Sequence, residues 1–130
     1  MHAIERRSVR DVTRASIPTN PGVYALYRDA AAVYVGKATS LRERLWGCHL
    51  RTGKSMTNSA MRRNVAQFLD IASAPDIKAR RYLPSDDDAR RVSDWIQACE
   101  LAWFVCPSAA DALALEATLK REWKPPLTRI

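Results

Sequence analysis

The chain is short of acidic residues, of pairable cysteines and of long apolar runs, and each shortage removes a class of protein. Asp and Glu number 14 against 21 Lys and Arg, which leaves a net charge of +7 and a pI of about 9.8. A surplus of that sign points to a polyanionic partner, although a merely soluble basic surface would carry the same number. The three cysteines, Cys48, Cys99 and Cys106, are odd in number, and none lies in C-x-x-C spacing. A disulfide framework or a zinc site is not expected, and a reducing, cytoplasmic setting fits better. The opening residues, Met1 to Arg7, lack the apolar run of a secretory leader. No stretch reaches the roughly 20 apolar residues that cross a bilayer as a helix. Internal repeats, low-complexity segments and zinc-finger spacing are also missing.

What is present suffices for one folded domain. Hydrophobic residues make up 47% of the 130, enough for a real core. The organising stretch is Gly22-Val23-Tyr24, followed ten residues after that tyrosine by Tyr34-Val35-Gly36-Lys37. Val23 to Tyr27 is one β-prone run and Ala32 to Val35 the next, with Arg28 to Ala31 as a turn-length spacer. Such a pair reads as a β-hairpin. Tyr24 and Tyr34 then sit on paired strands, with both hydroxyls able to reach one face. Gly36 ends the second strand, Lys37 places an ammonium beside the tyrosines, and Ser40 opens a helix.

Residues 1 to about 20 read as a basic arm or short helix, broken by Pro18, Asn20 and Pro21. Ser40-Leu41-Arg42-Glu43 has the spacing of a capping box, and Leu41, Leu45 and Cys48 make one apolar stripe. A second helix is expected from about Asn58 to Ala72, with Met61, Val65, Phe68 and Leu69 buried and Arg62, Arg63 and Asn64 facing elsewhere. Ser73 to Pro84 is bracketed by prolines and reads as a loop. Ser85 caps a third helix, whose first turn holds Asp86, Asp87 and Asp88; capping explains that acidic triplet better than metal binding. Leu101 to Cys106 reads as a strand buried on both faces. Ser108 then caps a last helix with Ala112, Leu115, Leu119 and Trp123 as its core stripe, stopped by Pro125 and Pro126. The order β-β-α-α-(loop)-α-β-α gives an α+β domain: a small antiparallel sheet with helices packed on it.

Gly-Val-Tyr, then Tyr-Val-Gly-Lys, then Leu41-Arg42-Glu43-Arg44-Leu45, resembles the GIY-YIG nuclease family. The ordered set at this spacing is specific, whereas either half alone is weak. The resemblance implies a three-stranded antiparallel sheet flanked by helices over residues 21–130, with residues 51–99 as a helical elaboration. It also implies hydrolysis of phosphodiester bonds in DNA, duplex or branched, with Mg2+ or Mn2+ as cofactor. The pattern is closest to stand-alone members, and a lone site nicks one strand at a time.

That hydrolysis needs a water stripped of a proton, balanced charge on phosphorus and a stabilised leaving oxygen. Carried onto this chain, the family's motif tyrosines are Tyr24 and Tyr34, and members differ over which acts on the water. Lys37 favours phenolate by its charge. Arg44, ten residues after Tyr34, matches the family's arginine and can clamp a phosphate bidentately, with Arg42 as its competitor. Glu116 matches the metal-binding glutamate, with Glu122 as the weaker alternative next to the Pro-Pro end. Arg42, Arg51, Lys54, Arg62 and Arg63 are basic residues expected to contact phosphates, helped by Ser55, Thr57 and Asn58.

Two positions depart from the family pattern. Many members carry asparagine soon after the Pro-Pro pair, where this chain has Thr128. Many carry histidine four residues after the arginine, where this chain has Cys48, with His49 one place later. On an α-helix one residue is a turn of about 100°, so His49 is expected to point away and Cys48 inward. Thr128 raises a rival reading, a catalytically impaired nucleic-acid-binding module of the same fold. A third reading is an interaction protein whose basic face meets an acidic partner.

Overall fold

The computed structural model describes residues 5–50, 53 and 55–128. Arg51 and Lys54, both expected at phosphates, lie outside the described residues. Strands β2 (Gly22–Arg28) and β3 (Ala31–Ala38) form the expected hairpin, antiparallel from Gly22 opposite Ala38 to Arg28 opposite Ala31. The turn is tighter than the spacer suggested. Asp29 and Ala30 alone make it, at φ 51° and 66°. Left-handed backbone at both central positions matches the twist of the flanking strands.

Strand β4 (Glu100–Val105) pairs antiparallel with the other edge of β2. A two-residue β1 (Arg7–Ser8) then adds to β4 opposite Leu101 and Glu100, so the sheet has four strands in the order β1-β4-β2-β3, and not three. Two residues are too few to show an alternating pattern in a sequence. Around β1 the N-terminal arm packs on the domain through Val9, Val12 and Ile17, all buried. Two of its arginines lie over aromatic rings, Arg6 over Tyr27 at 5.1 Å and Arg7 over Trp103 at 4.4 Å.

Alternation along the strands sorts the core into two layers. Tyr24, Leu26 and Tyr34 face a cluster with Leu41, Leu45, Met61, Val65, Val92 and Ile96. Val23, Ala25 and Val35 face Ala112 and Leu119 of α5 (Ala109–Trp123). The first layer is built by α1 (Leu41–Arg44), a π-helical turn (Leu45–His49), α2 (Ala60–Phe68) and α4 (Asp86–Gln97). Ser85 and Asp88 form a reciprocal cap on α4, and Asp88 also accepts from the Tyr82 hydroxyl at 2.6 Å.

Four expectations need correcting. The stretch 73–84 is not all loop, because α3 (Ala74–Lys78) follows the cap Ser73. Pro75 sits in its first turn, where a missing N–H breaks no helical bond. Helix α2 is shorter than expected, and its end residue Phe68 is 57% exposed, leaning on Trp95 at 5.7 Å between ring centres. Arg62 is buried and not surface-facing: its guanidinium donates to Ser93 Oγ and to the Gly53 carbonyl, both at 3.1 Å, and ties α2 to α4. Strand β4 is not covered on both faces to its end, since Phe104 and Val105 are exposed. Among the described residues β1 flanks only Glu100 and Leu101, which leaves the far end of β4 as an edge. None of the described helices is long and apolar enough to cross a membrane.

Candidate active site

Both motif glycines are explained by close approach. Gly36 stands opposite Tyr24 in the hairpin, and a Cβ there would meet Tyr24 Cζ at 2.5 Å. The tyrosine ring lies across the place where a side chain would be. A Cβ on Gly22 would meet Leu41 Cδ1 at 2.7 Å and the Phe104 carbonyl closer still. The two glycines therefore let the tyrosine and the helix layer close on the hairpin. Tyr24 and Tyr34 lie side by side, with ring centres 6.3 Å apart and planes 21° apart.

The π-helical turn changes which residue reaches them. Leu50 N donates to the Leu45 carbonyl at 2.8 Å, a five-residue step that takes up one extra residue. That extra residue rotates His49 to the inner side, and Cys48 is left half-buried at the cleft rim. The expected orientation of the two residues is thus reversed. His49 is 1% exposed, and its Nε2 lies 2.6 Å from the Tyr24 hydroxyl. Its Nδ1 lies 2.7 Å from Ser59 Oγ, and Ser59 also caps α2 by accepting from Arg62 N at 3.1 Å. The sequence pattern gave no sign of Ser59, which follows no motif. The spacing of arginine and histidine was visible, but only a π turn gives it meaning, and such turns cluster at functional sites.

Burial pushes the His49 imidazolium down to about 3, with the charges of Arg44, Arg63 and Arg62 adding to it. The ring is neutral and holds one proton to give and one lone pair to receive with. Between the ordinary value of 6.5 and about 3, the unfolded chain binds a proton that the folded chain refuses. Stability contributed by His49 is therefore full above pH 6.5 and falls as pH drops toward 3, by roughly 3–5 kcal/mol over the whole window. Urea melts of wild type at pH 7 and pH 4 should show this loss, and His49→Gln should flatten it. An equal slope in both proteins would contradict the buried neutral ring.

Tyr24 is held well above the ordinary phenol value, by burial first and then by the neighbouring Tyr34 charge. Tyr34 is pushed up to about 12 by burial and by Glu116, against the pull of Arg63, a hydrogen bond shared with Tyr24, and Arg44. Arg44, at the end of α1, is exposed and lines a cleft of about 440 Å³ together with Arg63, Thr57 and Asn58. Arg63 is anchored through Nη1 to the carbonyls of Thr57 and Met56. Among the described residues neither guanidinium is paired with a carboxylate. Arg42 is separated from Arg44 by its own contact, Nε to the Ile17 carbonyl at 2.9 Å. Lys37 is not brought beside the tyrosines. It pairs with Val23, on the face opposite Tyr24 and Tyr34, and borders a small cleft with Ala109, Ala110 and Leu113 at the start of α5.

Glu116 approaches from the α5 side. Its side chain is 12% exposed, and Lys120 Nζ lies 3.5 Å from one oxygen. Its charge raises both phenols, which places the carboxylate near them; Glu122 is exposed and acts on neither. As a hard oxygen ligand this carboxylate suits magnesium, which keeps several waters and takes substrate oxygens as its other ligands. Among the described residues there is no cluster of three His, Cys, Asp or Glu that would suit a fully protein-bound metal. Thr128 does not turn to the phenols. Its hydroxyl accepts from Val35 N at 2.9 Å, and Leu127 N donates to the Val33 carbonyl at 2.9 Å, so the C-terminal segment is stitched to the outer edge of β3. Asn64 Nδ2, buried on α2, holds the same segment through the Leu127 carbonyl at 2.8 Å.

The model of the GIY-YIG catalytic domain family matches residues 4–129. Among solved structures, the chain is similar to the magnesium-bound GIY-YIG N-terminal endonuclease domain of UvrC from Thermotoga maritima. The identity is 22% over 88% of this chain and 89% of that one, at a TM-score of 0.49. A point mutant of the same domain, bound to its catalytic divalent cation, is similar at 23% identity over 88% of each chain, also at a TM-score of 0.49. No curated protein matches.

Proposed function

The chain belongs to the GIY-YIG catalytic domain family, and we propose that it is a metal-dependent endonuclease that hydrolyses phosphodiester bonds in DNA. The observation that carries this reading is a tyrosine pair held by a neutral buried histidine, with the charges of Arg44 and Arg63 acting on it from the cleft they line. Such a group offers a proton acceptor and positive charge to a phosphate anion. Arg44 clamps the scissile phosphate and balances charge as it develops on phosphorus. Arg63 holds a phosphate from the α2 side. One tyrosine oxygen takes the proton from water, and His49 orients that tyrosine through its 2.6 Å contact. Glu116 would hold the divalent cation, magnesium or manganese. When bound, that cation supplies charge stabilisation for the leaving oxygen. The basic surface makes encounter with DNA strongly salt-dependent.

The test is supercoiled plasmid incubated with magnesium, manganese or chelator, beside Glu116→Ala. Nicking that needs the metal and is lost in the variant is expected. Intact plasmid that shifts in a gel at low salt would move the chain to the binding-module reading. Neither cutting nor shift would remove DNA as the partner.

A further inference from the structure

Ser59 sits behind His49 and has three roles to fill with one proton and two lone pairs. It is 2% exposed. Arg62 N donates into one lone pair at 3.1 Å, and His49 Nδ1 stands at 2.7 Å. If Nδ1 carried the ring proton, both neighbours would donate to Oγ. The buried hydroxyl proton would then have no acceptor among the described residues, an arrangement that folded proteins avoid. The hydroxyl therefore donates to Nδ1, and the ring proton sits on Nε2. Nε2 in turn donates to the Tyr24 oxygen at 2.6 Å.

We propose that Ser59 sets the direction of a hydrogen-bond chain, Ser59 to His49 to Tyr24, and so fixes which His49 nitrogen carries the ring proton. Its effect on rate rests on the nuclease reading above. Ser59 and His49 are positioning residues: the Nε2 proton, donated at 2.6 Å, holds the Tyr24 oxygen in place.

The tautomer is directly measurable by long-range proton–nitrogen correlation on 15N-labelled protein, with the His49 signals assigned by their loss in His49→Gln. The expected result in wild type is an Nε2-protonated ring, kept in Ser59→Thr. Ser59→Gly retains the helix cap to within a few tenths of a kcal/mol but has no hydroxyl, and its ring should shift toward a mixture of tautomers. In the plasmid assay Ser59→Gly should lose about tenfold in kcat with KM unchanged, the worth of one oriented hydrogen bond, and Ser59→Thr should restore it. An Nδ1-protonated ring in wild type, or a tautomer indifferent to Ser59→Gly, overturns the proposal. Because the tautomer is read without any cleavage, it separates this proposal from the nuclease reading itself.

Discussion

Gly36→Ala should abolish cleavage and lower stability together. The added methyl has no free space: it would meet Tyr24 Cζ at 2.5 Å and Cε2 at 2.9 Å. Backbone and ring cannot both stay. Either Tyr24 swings out and breaks its 2.6 Å contact with His49, or β2 and β3 part at their centre. Overpacking of this kind costs about 1–3 kcal/mol. Losing the geometry of the proton acceptor costs about 10²–10⁴ in rate. The matching control is Gly47→Ala, where a Cβ meets nothing within 4 Å. Thermal melts and nicking rates on both variants check the pair. Cleavage by Gly36→Ala at the wild-type rate would show that Tyr24 does not need its place across the glycine.

How much of this was readable in the chain depends on the kind of signal. The hairpin was legible because two β-prone runs flank a turn-length spacer and its glycines have motif spacing. Helices α4 and α5 announced themselves through caps, Ser85 with Asp88 and Ser108 with Asp111. The α+β class followed from that order. Features set by tertiary packing were not legible. Arg62 reads as a surface charge on helical spacing, yet Ser93 and the Gly53 carbonyl supply enough partners to bury it. Lys37 reads as a neighbour of Tyr34 in sequence, but a period of two along the strand sends it to the other face. The π turn was invisible for a related reason. Helical periodicity assumes one step size, and a single wider turn moves His49 and Cys48 to each other's positions. Ser59 follows no motif, and its contact with His49 exists only because the π turn delivers the ring to it. At the candidate site, then, Tyr24, Tyr34 and Arg44 were visible as a motif and Glu116 through the resemblance alone, while His49 and Ser59 came from the fold.

Arg44→Ala should remove about 10²–10³ of the cleavage rate, the range for deleting one preorganised donor to developing charge. The case rests on how differently the nearby arginines are placed. Arg44 faces the cleft, makes no ion pair among the described residues, and its charge acts on Tyr24, Tyr34 and His49 alike. Arg42 is two residues away but spends its Nε on the Ile17 carbonyl, so Arg42→Ala should cost about 1 kcal/mol of stability and leave the rate per folded molecule unchanged. Arg63 lies between these cases. It shares the cleft with Arg44, yet its Nη1 is committed to the Thr57 and Met56 carbonyls. Arg63→Ala should therefore weaken DNA binding and reduce the salt slope by about one phosphate contact, with a smaller loss in kcat than Arg44→Ala. Arg44→Lys should recover only part of the rate, since an ammonium keeps the charge but loses the planar fork that grips two phosphate oxygens. Single-turnover nicking rates and salt-dependent binding on the same four variants test the ranking. Equal rates in Arg44→Ala and Arg42→Ala would remove Arg44 from the site.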